Sequence, residues 1–323
     1  TLWPGGSLKT WHYLGFEDQI RVNPFKQRIR LIRFSPDNKK IAIGTHRGQH
    51  GLSVSFQESA GPVVILDSDS GNILFTLEGR YTGFSWFPDS RRIAVTNEDE
   101  RSHEIHDTVT GVRIGKFGDS LAVGRPFVSG EILASIGEKQ NVWQWNTDSG
   151  KLVNDDSFPL GDVWGSGDVV RLPMGLFNTI VGPDGHLVAL AQGGDVRMWD
   201  VVTKEAIPSF PYAGRSTQTL EFSRDSSRLY AITGQKRFRL FDVKNRKETR
   251  SFLGPFGPSV MNSDATRVVS CGDGVQIWDV ESGLKMFTLA SKEKGRFTAV
   301  DWSPDDTRIA VGQKDGTLNI WSL

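Results

Sequence analysis

One short pattern recurs along the chain and constrains its fold more than any single residue. The last copy, Phe297 to Trp321, reads FTAVDWSPDDTRIAVGQKDGTLNIW. It holds three strand-length runs separated by two turn signals. Ser303-Pro304-Asp305 suits a tight turn, because proline presets φ at the second turn position and aspartate bonds back to the backbone. Lys314-Asp315-Gly316 is a hairpin signal in which glycine supplies positive φ. The first turn recurs at Ser35-Pro36-Asp37, Phe87-Pro88-Asp89, Gly182-Pro183-Asp184, Ser223-Arg224-Asp225 and Ser263-Asp264, with a worn copy at Val128-Ser129-Gly130. An apolar run follows each turn (IAIG, IAVT, ILASIG, LVALA, LYAIT, VVSC, IAVG). A third run then follows (VVILD, HEIHD, VWQWN, VRMWD, FRLFD, VQIWD, LNIWS). Most third runs lead through a Ser-Gly or Asn turn into a fourth, such as NILFTL or LKMFTL.

The period is about forty residues, a length typical of four-stranded propeller blades. The final copy lacks a fourth strand. An orphan strand pattern, Leu8 to Leu14, stands near the other end of the chain behind Gly5-Gly6-Ser7 and matches LKMFTL at Leu284 to Leu289. Placing both terminal segments in one sheet closes the ring and hides two strand edges. The expected fold is therefore all-β: a seven-bladed β-propeller of four-stranded antiparallel blades. It covers residues 1–323 as one unit, with residues 8–14 completing the last blade.

Met198-Trp199-Asp200-Val201 and Ile277-Trp278-Asp279-Val280, each ending a third strand, resemble the WD-repeat β-propeller family. Phe241-Asp242, Leu66-Asp67, His106-Asp107 and Trp145-Asn146 look like worn versions, so the resemblance runs through essentially the whole chain. Family repeats usually carry a Gly-His pair before the first strand, whose histidine joins a buried tetrad. None of the six histidines here occupies that slot. The blades are therefore expected to be held mainly by apolar packing, with Trp199 and Trp278 as core anchors. The turn style is also similar to that of six-bladed TolB-like propellers; the Trp-Asp pairs and the repeat count favour the WD reading.

Composition narrows the function. The 323 residues carry 38 basic and 38 acidic side chains, a balance that argues against a general nucleic-acid or membrane-surface binder. A single cysteine, Cys271, precludes an internal disulfide or a cysteine metal cluster and reads as a small buried side chain. No apolar run reaches membrane-spanning length and no signal peptide is visible, so the expected location is cytoplasmic. Thr1 rather than methionine opens the sequence, as in a processed form or a segment of a larger protein.

Chemistry-bearing motifs are few. His46 and His50, spaced four apart, and His103 and His106 suggest a metal only on a helix, and the surrounding glycines indicate a loop for the first pair. No Gly-x-Ser-x-Gly elbow and no phosphate-binding glycine loop is present. The aspartates of the turns and Trp-Asp pairs read as structural hydrogen-bond acceptors. One constellation stands out. Arg28, Arg80 and Arg296 each lie eight residues before the proline of their turn, and Arg215 lies nine before Arg224. That slot precedes the first strand and places repeated guanidinium groups at one rim of the channel, suited to carboxylate or phosphate partners. The plainer reading is that each arginine pairs with turn carboxylates of neighbouring blades. Two longer loops, 45–62 and 154–173, should rise from the same face, bringing His46, Arg47, His50 and Trp164 beside the arginines.

The expected function is a non-catalytic scaffold, as the family resemblance implies. It would bind a protein or peptide, acidic in character, through Arg28, Arg80, Arg215, Arg296, His46, Arg47, His50 and Trp164. No cofactor, metal, nucleic acid or membrane partner is expected, and the propeller should be monomeric, alone or within a larger chain or complex. The alternative is an enzyme or small-ligand binder using the channel mouth.

Overall fold

In the computed structural model the described residues are 20–23, 27–45, 60–118, 126–136, 141–153, 158–159, 179–183, 186–192, 195–200, 203, 205–211, 217–233, 237–254, 257–272, 274–289 and 297–323. Every regular element among them is a strand, because turn signals recur too closely to leave room for helices. None is a helix long and apolar enough to cross a membrane. The chain begins with β1 (Ile20–Val22). Next come β2 (Ile29–Phe34), β3 (Lys40–Thr45), β4 (Gly61–Asp67), β5 (Ile73–Trp86), β6 (Arg92–Asn97), β7 (Ser102–Asp107) and β8 (Arg113–Phe117). A second group is β9 (Phe127–Ser129), β10 (Ile132–Ile136), β11 (Asn141–Asn146) and β12 (Phe158–Pro159). A third is β13 (Thr179–Val181), β14 (Leu187–Gln192), β15 (Asp195–Asp200) and β16 (Glu205–Pro211). A fourth is β17 (Thr217–Phe222), β18 (Arg228–Thr233), β19 (Arg237–Asp242) and β20 (Lys247–Leu253). The last strands are β21 (Ser259–Met261), β22 (Arg267–Ser270), β23 (Val275–Asp279), β24 (Lys285–Leu289), β25 (Phe297–Trp302), β26 (Arg308–Gln313) and β27 (Leu318–Ser322).

These strands do not make the expected seven four-stranded blades. Five sheets have four strands each: β9–β12, β13–β16, β17–β20, β21–β24, and a terminal sheet in the order β1-β27-β26-β25. The first two repeats are instead fused into one seven-stranded sheet, β2 to β8. The cause is β5, which runs unbroken for 14 residues. Its first half pairs with β4 through Ile73↔Leu66 and Leu77↔Val63. Its second half pairs with β6 through Tyr81↔Asn97 and Trp86↔Ile93. Gly79 lies in the middle with near-extended backbone. A Cβ there would meet the Tyr81 ring at 2.9 Å, so the strand passes from one pairing to the next without a turn.

Pairing of the terminal segments is present: β1 lies antiparallel on β27, with Ile20 opposite Ile320 and Val22 opposite Leu318. The strand seen there is Ile20–Val22; Leu8 to Leu14, the segment expected to complete the sheet, lies outside the described residues.

Local chemistry explains the regularity. The aspartate or asparagine ending each third strand caps the next turn. The Asp67 carboxylate accepts from the Ser70 amide (2.8 Å) and hydroxyl (2.7 Å). Asp107 does the same for Thr110, Asn146 for Ser149 and Asp279 for Ser282. In the other turn, the Ser35, Ser223 and Ser303 hydroxyls donate to Asp37, Asp225 and Asp305 at 2.5–2.6 Å. Both are local side-chain-to-backbone turn motifs, and they bear out the structural role expected of these acids.

Adjacent sheets pack through buried apolar clusters. One joins the terminal sheet to β2–β4 (Ile29, Ile32, Ile43, Leu66, Ala310, Ile320). Others join β13–β16 to β17–β20, β17–β20 to β21–β24, and β21–β24 to the terminal sheet. The largest fully buried side chains include Trp302, Trp321 and Tyr230. Trp199 is buried at 4% exposure, as expected of a core anchor. Trp278 is only partly buried. Its indole lies over the Gly254 backbone, and its Nε1 donates to the Ser270 hydroxyl at 3.1 Å.

Candidate functional site

The first strand of each repeat lies at the centre, and all run in one direction, so the channel between them has two chemically distinct ends. At the N-terminal end of β2, Arg28 is exposed. Arg30 reaches the Thr82 carbonyl at 3.4 Å; burial first, and Arg28 second, lower its pKa. At the equivalent point of β5, Arg80 pairs with Glu98 (2.7 Å) and Asp99 (3.3 Å), carboxylates of its own sheet. Arg80 is thus ion-paired, but within its own sheet rather than with a neighbouring blade as the plainer reading expected. Opposition of Ile29 to Thr45, and contact of Gly61 with the Thr45 carbonyl, bring both ends of segment 46–59 to this same end. Arg215, Arg296, His46, Arg47, His50 and Trp164 lie outside the described residues, as does most of loops 45–62 and 154–173.

The opposite end, where the Ser-Pro-Asp turns sit, holds a cavity of about 290 Å³. Its walls come from four sheets: Arg33, Ser85 and Trp86, then Phe127 and Val128, then Ile180, then Glu221 and Phe222. One wall is ionic. The Arg33 guanidinium donates to Glu221 at 2.9 Å and stands 3.5 Å from Asp301. It thereby links the first strand of the first repeat to two first strands far along the chain. The Tyr230 hydroxyl donates to the second oxygen of Glu221 at 3.0 Å, and the Phe34 amide donates to Asp301 at 2.7 Å. Arg33 and Glu221 keep 21% and 19% side-chain exposure; Asp301 keeps 9%. Burial raises the Asp301 pKa, opposed by Arg33 and the Phe34 amide. Burial alone would lower that of Arg33, but Glu221 and Asp301 outweigh it and hold the group above its ordinary value. Burial, reinforced by Glu221, holds the Tyr230 phenol protonated.

The arginine-slot reading missed this cluster, although a signal existed. Arg33, Ser85, Glu221 and Asp301 each stand two residues before the first residue of their turn, and each is followed by an aromatic. Polar residues at that repeated place in an apolar run mark the channel wall.

A second buried polar group lies in the seven-stranded sheet. The Glu104 carboxylate accepts from Asn97 (2.8 Å), Arg113 (3.2 Å) and Tyr81 (3.3 Å), and lies 2.8 Å from His106 Nε2. These partners outweigh the cost of burial and lower its pKa to about 2. His103, fully buried, has its Nδ1 2.9 Å from the Thr96 hydroxyl and its ring edge-on to Trp145; desolvation lowers its pKa to about 3. Of the four histidines considered from sequence for a metal, His103 and His106 are thus engaged within the sheet, and His46 and His50 lie outside the described residues. The described residues contain no group of three or more His, Cys, Asp or Glu able to hold one. In this sheet the polar group stands beside the expected apolar packing of Val63, Ile65, Phe84, Ile93 and Val95.

Comparison with known proteins agrees with the architecture. The family described as WD domain, G-beta repeat, matches residues 284–322. Actin-interacting protein 1 of Drosophila melanogaster is 23% identical over 91% of this chain and 47% of its own length. Eukaryotic translation initiation factor 3 subunit I of Botryotinia fuckeliana is 20% identical over 59% of this chain and 58% of its own. WD repeat-containing protein 1 of Gallus gallus is 24% identical over 44% and 32%. The chain spans 32–58% of the length of these curated relatives. The match falls on the terminal repeat, and the same strand–turn unit is repeated through the sheets, so the chain is similar to WD40-repeat β-propeller proteins.

Proposed function

We propose that this propeller is a non-catalytic, cytoplasmic interaction platform that binds an acidic peptide or protein surface. Binding would use the channel end carrying Arg28 and Arg80, with Arg215 and Arg296, which hold the matching sequence slot and lie outside the described residues, as further candidates. The fold is typical of protein-interaction scaffolds. The observation that favours this over an enzyme is the state of the channel wall. Arg33 and Tyr230 donate to Glu221 and Arg33 faces Asp301, so the donors of this wall serve the ring rather than a reacting group. The relatives' names support the same reading: one is named for interacting with actin and another as a subunit of a translation initiation factor. Different assemblies around one fold are what a platform allows. The test is fluorescence anisotropy of a labelled polyglutamate peptide with the full chain. Binding should weaken as salt rises, since exposed charges are screened within about 8–10 Å. It should fall about tenfold in Arg28→Glu/Arg80→Glu at an unchanged melting temperature, as expected when about 1.4 kcal/mol of attraction is lost. Equal binding by the double variant overturns the assignment of this face.

A further inference from the structure

We propose that the cavity at the turn end of the channel is a pocket for one basic side chain, lysine or arginine, presented by a partner protein. The inference rests on the platform reading but concerns the opposite end from the arginine rim.

Size comes first. At about 290 Å³ the cavity falls at the bottom of the range for small-molecule and cofactor sites, roughly 300–1,000 Å³, and suits one long side chain. Trp86, Phe127, Phe222, Val128 and Ile180 supply apolar wall for an aliphatic stem.

The polar wall has an excess of acceptors. Arg33 is committed to protein acceptors: its guanidinium donates to the Ile32 carbonyl (2.9 Å) and to Glu221, and faces Asp301. Glu221 accepts one bond from Arg33 and one from Tyr230, whereas a carboxylate accepts about four. Ser85 adds a hydroxyl to the wall. Arg33 and Glu221 line the cavity as one guanidinium and one carboxylate, whereas Asp301 and Arg224 stand outside the lining, Asp301 facing Arg33 and Arg224 donating to the Trp302 carbonyl.

Other occupants fit less well. An anion would have to draw Arg33 away from Glu221 or Asp301 and leave a desolvated carboxylate, which is strongly unfavourable. A purely apolar side chain would cover the remaining Glu221 acceptor positions without satisfying them. A guanidinium or ammonium supplies donors where acceptors of Glu221 remain, and its aliphatic stem lies against the apolar wall.

Isothermal titration of the full chain with acetyl-Gly-Arg-Gly-amide, its lysine analogue and its glutamine analogue tests this. The basic peptides should bind in the millimolar range or tighter, and the glutamine peptide about tenfold more weakly, the equivalent of one charge-assisted hydrogen bond. Glu221→Gln should weaken arginine-peptide binding by a similar factor, and Val128→Trp, which fills the cavity without touching the ionic wall, should abolish it. The urea midpoint of each variant reports folding, and Val128→Trp keeps the test decisive if Glu221→Gln is unstable. No heat at about 10 mM basic peptide, equal binding of the glutamine analogue, or binding that survives Val128→Trp each overturns the pocket. None of these outcomes touches the Arg28/Arg80 experiment, so the two readings fail separately.

Discussion

The ring has two joints built in opposite ways. At the seam between the terminal sheet and β2, no continuous strand passes from one side to the other. Side chains make the joint: Ile29, Ile32 and Leu318 are fully buried, and Gly312 lets the Ile29 side chain lie directly on the β26 backbone. Arg308 adds bonds to the Asn38 carbonyl (2.8 Å), the Ser68 carbonyl (3.1 Å) and Asp69 (2.7 Å). Inside the seven-stranded sheet, by contrast, β5 carries the backbone from the first repeat into the second. There the interior holds Glu104, His106, Tyr81 and Asn97. Within the continuous ladder a buried polar cluster stands beside the apolar core; at the seam close apolar packing supplies the position, with Arg33 and the Phe34 amide meeting Asp301 at its channel edge.

The contrast can be broken most directly at Ile29. Ile29→Ala should cost about 2–5 kcal/mol, read as a lower urea midpoint at constant slope. A loss smaller than that of Glu104→Gln, below, would reverse the comparison. Gly312→Ala should cost about 1–3 kcal/mol, because the new methyl would overlap Ile29 and stand 3.0 Å from Ile32. Combined with Ile29→Ala it should cost less than the sum, since the two changes share one space; additivity would mean the seam has no such tight contact.

On the other side of the comparison, Glu104→Gln should cost about 1–3 kcal/mol by leaving donors of His106 or Arg113 unsatisfied. An unchanged midpoint would show that the polar cluster adds nothing. The smallest effect is on pH dependence. His103 stays neutral when folded, with a pKa of about 3 against an ordinary 6.5, so the unfolded chain takes up a proton first as pH falls. Stability from this group is complete above pH 6.5 and is lost towards pH 3, at no more than about 1.4 kcal/mol per pH unit. His103→Gln should flatten the upper part of that decline, from pH 6.5 to 4.5, by about 1–2 kcal/mol. Glu104 acts in the same direction, its contribution being lost from pH 4.5 towards 2. Matching pH profiles for His103→Gln and the parent chain would rule out a buried neutral imidazole.

The strand–turn unit was legible because its determinants are close in sequence. Ser303 and Asp305 bond two residues apart, as do Ser223 and Asp225, and any copy of the motif repeats the geometry. The fusion of the first two repeats was not legible. Gly79-Arg80 has the same letters as Gly295-Arg296, and only the pairing of both halves of β5 shows that no turn intervenes. Glu104 and His106 carried a usable signal, since residues two apart on a strand share a face.

The division between sequence and tertiary structure follows the range of the interactions. Turn chemistry and strand periodicity act over two to five residues, so the sequence by itself determined an all-β chain of repeated short strands, capped by Asp and turned by Pro and Gly. The number of separate sheets, the strand that closes the terminal sheet and the chemistry of the channel wall were decided only in three dimensions. Arg33 meets Glu221 across 188 residues, and Phe34 meets Asp301 across 267. No local preference encodes such a pairing. It exists because packing of the apolar faces brings the first strands around one axis, and the side chains that then face each other there set the chemistry of the channel.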